Sequence, residues 1–199
     1  MSMRKIPVSL LLLDTNRIYN KQLIIHGEYI VIPAIRKHFQ EKLADCLFKS
    51  YTEYYCALRD FIIENEDLIK ADNIDIRFLD RLKLNTLLSL NLSKYEIENI
   101  GAQKFILDRE RELCLHMDYP HVESLLDFIA NRLWEMVSTP ANFECNCIDG
   151  NVIFVMASGR KQPLAYCLYC GKIYDEHGIE MSGIGSGIYP ATSQDIYIE

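Results

Sequence analysis

The sequence predicts an α+β fold: an N-terminal β-hairpin, about four helices forming the main core, and a small C-terminal β module. Three observations predict it. Apolar residues recur at helical spacing over most of residues 35–137. After Pro140 the apolar runs become short and β-branched or aromatic, and seven of the nine glycines of the chain fall there. Four of the seven cysteines lie in two pairs within the 26 residues from Cys145 to Cys170. The change near residue 140 divides the chain into a mainly helical domain, 1–140, and a β-rich module, 141–199.

The elements follow in order. Leu23–Ile25 and Tyr29–Ile32 flank His26, Gly27 and Glu28, a hairpin pattern with Gly27 in the turn. Pro33 suits a first helical position, where its missing amide hydrogen has no partner to lose. Ile35, Phe39, Leu43, Leu47, Tyr51, Tyr54, Leu58, Phe61 and Ile62 then form one long helical stripe. Asn73 or Asp75 is a candidate cap for a second helix that carries Phe78, Leu79, Leu82, Leu84, Leu87 and Leu88 and ends near Asn91. Ser93 and Glu96 have the spacing of a capping box. They open a third helix through Ile97, Ile100, Phe105, Ile106 and Leu113, which Gly101 weakens near its start. Pro120 marks a break, and a fourth helix runs from about His121 to Val137 with Val122, Leu125, Leu126, Ile129, Leu133, Trp134 and Val137 on one side. Thr139 and Pro140 end it. Beyond them, Val152–Val155, Leu164–Leu168 and Ile173–Tyr174 read as strands, with turns at Ser158–Lys161 and Asp175–Gly178.

Composition narrows the function classes. The chain is 49% apolar and 25% charged, the proportions of a folded globular protein. No stretch approaches the ~18 consecutive apolar residues of a membrane span. Ile6–Leu13, behind Arg4 and Lys5, is short and lacks a small-residue cleavage site, so it reads as a buried element. The expected compartment is the cytoplasm, where thiols stay reduced and clustered cysteines point to metal or burial. Net charge is −7, with 18 Lys+Arg against 21 Asp+Glu in residues 1–140 and 3 against 7 in residues 141–199. Neither part is basic, which argues against nucleic acid as the main partner and favours a basic protein.

The cysteine pattern is Cys145-Asn146-Cys147, nineteen residues, then Cys167-Leu168-Tyr169-Cys170-Gly171. Two thiolates separated by two residues can converge on one metal, and the glycine after them relieves crowding where the chain reverses. Residues 143–179 thus resemble a zinc-ribbon or zinc-knuckle module. The resemblance implies one structural zinc ion held by Cys145, Cys147, Cys167 and Cys170. The C-x-C pair departs from the usual C-x-x-C. On an extended strand its two sulfurs share a face, and His177 is the alternative fourth ligand. Buried or redox-active thiols are the competing explanation.

Other constellations are weaker. Cys114, His116, Asp118 and His121 hold ligand and acid–base chemistry within eight residues, but Pro120 interrupts their spacing, so a polar loop is the simpler reading. Gly183, Gly185 and Gly187 are followed by Tyr189-Pro190, not by the helix a phosphate loop needs. Tyr51, Tyr54 and Tyr55 suit either a binding face or the edge of the core. Asp108–Glu112, alternating in charge, reads as a solvated helix face. The expected function is a non-enzymatic binding protein, such as an immunity protein or inhibitor that neutralises a basic toxin or nuclease. Two alternatives stand beside it. One is a zinc-ribbon regulator associated with nucleic acid through Arg4, Lys5, Arg36, Lys37, Arg160 and Lys161. The other is a metal-dependent hydrolase using His116, Asp118 and His121.

Overall fold

The computed structural model describes residues 31–44, 46, 48–71, 74–147, 150–182 and 187–196. The predicted hairpin lies outside them, except that Val31 and Ile32 begin a helix instead of ending a strand. The described residues form helices α1 (Val31–Ala44), α2 (Tyr51–Glu64), α3 (Glu66–Ala71), α4 (Ile76–Leu82), α5 (Leu84–Leu88), α6 (Ile97–Lys104), α7 (Leu107–His116) and α8 (Val122–Val137). Strands β1 (Val152–Ala157), β2 (Leu164–Cys167), β3 (Ile173–Tyr174), β4 (Glu180–Met181) and β5 (Ile188–Pro190) follow, and a short α9 (Ser193–Ile196) closes the series. The fold is α+β with a C-terminal antiparallel sheet in the order β4-β3-β2-β1-β5. No helix among the described residues is long and apolar enough to cross a membrane.

Each long helix predicted before residue 120 is divided in the structure, for a local reason in each case. The stripe from Ile35 to Ile62 breaks after Ala44 and restarts at Tyr51, where the Ser50 side chain accepts the Glu53 amide at 3.1 Å and Glu53 accepts the Lys49 amide at 2.7 Å. The cap is therefore at Ser50, with Glu53 reaching back one residue further to Lys49, and not at Ser93 and Glu96. Ser93 lies in a 3₁₀ turn capped by Asn91, and the Glu96 carboxylate accepts the Ser193 hydroxyl. The second predicted helix is capped by Asp75 and divides at Lys83, whose left-handed backbone (φ 52°) separates α4 from α5. Carbonyls near that break serve tertiary partners: Arg81 accepts from the Tyr166 hydroxyl, Leu82 from Trp134 Nε1 and Leu87 from the Tyr55 hydroxyl.

The third predicted helix breaks at Phe105 and Ile106, both extended. Gly101, expected only to weaken it, allows α6 to lie against the Tyr51 ring, which occupies the space a β-carbon would need. The Tyr51 hydroxyl then donates to the Phe105 carbonyl at 2.8 Å. Glu110 is buried, contrary to the solvated face expected for Asp108–Glu112. Its carboxylate accepts Arg132 Nε at 2.7 Å and the Tyr54 hydroxyl at 3.2 Å.

The central helix is α8, nine of whose sixteen residues are buried against α1, α2, α4, α5 and α6. Tyr54 and Tyr55 are core residues and Tyr51 is half-buried at its edge. The same apolar cluster continues into one face of the sheet through Ile153, Val155, Leu164, Tyr166, Ile173 and Ile188. Trp134 and Tyr166, with ring centroids 5.8 Å apart, join the two layers. Strand alternation sends Val152, Ala165, Cys167 and Tyr174 to the opposite face, where they form a second, smaller cluster. β4 and β5 had no counterpart among the predicted strands. Pro190 fits in β5 because β5 is an edge strand.

Candidate metal centre

Sheet register brings the two cysteine pairs together. Pro140 bridges to Ile153, and the Ala141 amide donates to the Val152 carbonyl, which brings the chain back beside the start of β1. Cys145 and Cys147 follow on a bend, not on the extended strand the alternation argument assumed. Val152 is paired with Cys167 across β1 and β2, so the second pair begins beside the first. Past Cys167 the chain turns tightly, with the Gly171 amide donating to the Cys167 carbonyl at 2.9 Å. Gly171 has φ +72°, the left-handed conformation a glycine adopts without strain.

All four sulfurs lie within 4.8 Å of one another, a metal-binding distance. The Cys145–Cys170 sulfurs are 3.5 Å apart and the Cys147–Cys167 sulfurs 3.4 Å apart. Metal–sulfur bonds of about 2.3 Å in a tetrahedron place sulfurs about 3.8 Å apart, so little movement is needed to close on an ion. His177 is not in the group. It is exposed and faces Glu176, Nε2 to carboxylate 3.7 Å. The grouped sulfurs include that of Cys145, and His177 lies outside them.

The surroundings favour a thiolate at Cys145. Backbone amides of Tyr169 and Cys170 act on the Cys167 thiol, that of Lys172 on Cys170, and that of Cys147 on Cys145, each favouring the charged form. The Tyr174 hydroxyl lies 3.0 Å from the Cys145 sulfur. Burial opposes a charge on Cys145, but these hydrogen bonds, led by Tyr174, outweigh it and bring the thiol down to about 6. Burial dominates at Cys167 and Cys170, whose thiols are pushed up. Phe143, Val152 and Ala165 shield the cluster. On the helical side, Arg81 donates to the Leu168 and Tyr169 carbonyls of the cysteine turn while Asp127 holds its other nitrogen at 3.0 Å. An ion bound by all four sulfurs has no position left for a substrate or water.

Elsewhere the sequence candidates are dispersed. Cys114 is buried against the Tyr54 hydroxyl at 3.6 Å, and burial pushes its thiol up to about 12. His116 is exposed and faces Glu112 on its own helix, Asp118 pairs with Arg36, and His121 is exposed at the start of α8. These residues are separated because α7 ends at His116 and the extended stretch after it buries Tyr119 between them. Arg36 is committed to Asp118 and Lys37 faces Glu41, whereas Arg160 and Lys161 sit on the turn after β1. Arg4 and Lys5, like Gly183 and Gly185, lie outside the described residues. A hollow of about 970 Å³ on the outer face of the sheet is lined by Phe154, Met156 and Tyr189 and rimmed by Arg160, Lys161 and Asp175.

The structure thus defines an α+β protein whose C-terminal sheet carries a four-cysteine cluster compatible with a zinc-ribbon-like module. No protein-family model, curated protein or solved structure matches the chain. Sequence reasoning missed Tyr174 and Arg81, which support the cluster. Only the period-two alternation of β3 carried a signal for Tyr174, since it sets Ile173 and Tyr174 on opposite faces.

Proposed function

We propose that Cys145, Cys147, Cys167 and Cys170 hold one structural zinc ion, and that the protein acts as a non-enzymatic binding protein for a basic protein partner. The observation that carries the reading is the closed set of four sulfurs. Thiolates select zinc among the common divalent ions, and full coordination leaves the ion a structural role. Four thiolates outweigh the dication by two charges, in a module whose side chains already carry 3 Lys+Arg against 7 Asp+Glu. Such a surface attracts cationic proteins, small basic toxins and nucleases among them, and repels phosphate backbones. Further support comes from the dispersal of His116, Asp118 and His121, which leaves no shared site for hydrolysis.

The test is partner capture from the native host with the zinc-loaded chain, followed by association kinetics with the purified partner. A basic partner whose association rate falls at least ten-fold between about 50 and 300 mM salt is expected, since steering is screened over a Debye length of about 10 Å or less. A reproducible partner that is acidic, or a rate insensitive to salt, contradicts the reading.

A further inference from the structure

We propose that Tyr174 is a positioning residue of the metal centre, its hydroxyl donating to the Cys145 sulfur and holding that thiolate in the coordination set. The proposal rests on the zinc reading above. The hydroxyl oxygen and the sulfur are 3.0 Å apart. A metal-bound sulfur has no proton, so in the loaded site the hydroxyl is the donor.

The two cysteine pairs are built differently. The turn from Cys167 to Lys172 folds back on itself and turns three backbone amides onto its sulfurs. In the C-x-C pair the Cys147 amide acts on the Cys145 thiol. Tyr174 brings a side-chain hydroxyl to Cys145 at 3.0 Å. Each donor aimed at a sulfur withdraws part of the excess negative charge of a four-thiolate site and fixes the direction of that ligand.

Strand placement and ring packing orient the hydroxyl. Strand alternation in β3 buries Ile173 in the helical core and turns Tyr174 toward the sulfurs. The Tyr174 ring packs on Phe143 at 4.6 Å between centroids. Phe143 in turn lies against Gly178, where a β-carbon would come within 2.7 Å of the ring. Gly178 thereby leaves room for Phe143, Phe143 orients Tyr174, and Tyr174 reaches Cys145.

The experiment compares the full chain with Tyr174→Phe, which keeps the ring and removes the hydroxyl. Zinc release to a chelator and the sulfur-to-metal absorption of the cobalt(II)-substituted protein are both measured. Tyr174→Phe is expected to bind one metal ion per chain, release it about ten-fold faster and show a shifted cobalt charge-transfer band. As a second variant, Gly178→Ala keeps the hydroxyl but strains the turn at φ +75° and pushes Phe143 toward it, and an intermediate release rate is expected. Wild-type release and an unchanged band in Tyr174→Phe would overturn the proposal and leave the zinc reading standing. Should Tyr174→Phe fail to fold, an unchanged rate and band in Gly178→Ala overturn it equally. A wild-type chain that takes up no metal overturns both.

Discussion

The helical body and the sheet are held by different means. Around α8 the body buries large side chains from every side, Tyr54, Tyr55, Phe61 and Trp134 among them, and even its buried charge, Glu110, is matched by Arg132 and a tyrosine hydroxyl. The sheet has such a core on one face only. Its other face has a small cluster of Val152, Ala165, Tyr174 and the cysteines. A thin apolar layer of this kind contributes little area to burial, which is where small modules commonly rely on a metal. On the proposed zinc reading, the cysteines have a task the helices do not need: fixing the outer face and the turns of a sheet whose inner face is already anchored.

Removing the staple gives the largest expected effect. Cys167→Ser should lower bound zinc from about one equivalent to under half. Backbone amides of residues 143–182 should lose hydrogen-exchange protection while helical circular dichroism persists. Simultaneous loss of both signals would show that the two regions form one cooperative unit and would break the comparison. Trp134→Ala comes next, at about 3–5 kcal/mol by denaturant unfolding, because it opens a cavity where the layers meet and orphans the Leu82 carbonyl. Unlike the cysteine variant, it should destabilise helices and sheet together. Glu110→Gln should cost about 2–3 kcal/mol, through weakened hydrogen bonds to Arg132 and Tyr54, and leave zinc content unchanged.

How much of this was legible in the sequence differs between the same two regions. The four-cysteine cluster could be read because thiol chemistry leaves a spacing, and Gly171 marked the turn that spacing requires. The last helix could be read because Val122 to Val137 follow one stripe without interruption. Helix breaks were hidden, since Ile35 to Ile62 keep helical phase across a break made by a cap at Ser50, and Lys83 carries no turn signal at all. Glu110 looked like surface because its partners, Arg132 and Tyr54, are distant in sequence. Support for the cluster was hidden for the same reason: Arg81 lies 87 residues before the Leu168 carbonyl it binds. Local chemistry was readable, and pairing over long separations was not.

Two smaller effects sharpen the comparison. Arg81→Ala removes the donor shared by α4, Asp127 and the cysteine turn. About 1–2 kcal/mol is expected, with zinc stoichiometry kept and faster hydrogen exchange at residues 168–171. The body should also weaken at alkaline pH. Burial raises the Cys114 thiol to about 12, above its unfolded value of about 8.5, so the unfolded chain binds fewer protons between those values. The contribution is complete below pH ~8.5 and is lost as pH rises through the folded value. Cys114→Ala should therefore show a shallower decline in melting temperature above pH ~8.5 than the wild type.

The most direct test of the account is metal analysis of freshly purified, unchelated protein, with zinc measured per chain. One equivalent of zinc is predicted, released in proportion as the four cysteines are titrated by a thiol reagent. Less than about half an equivalent of any metal would contradict the central claim.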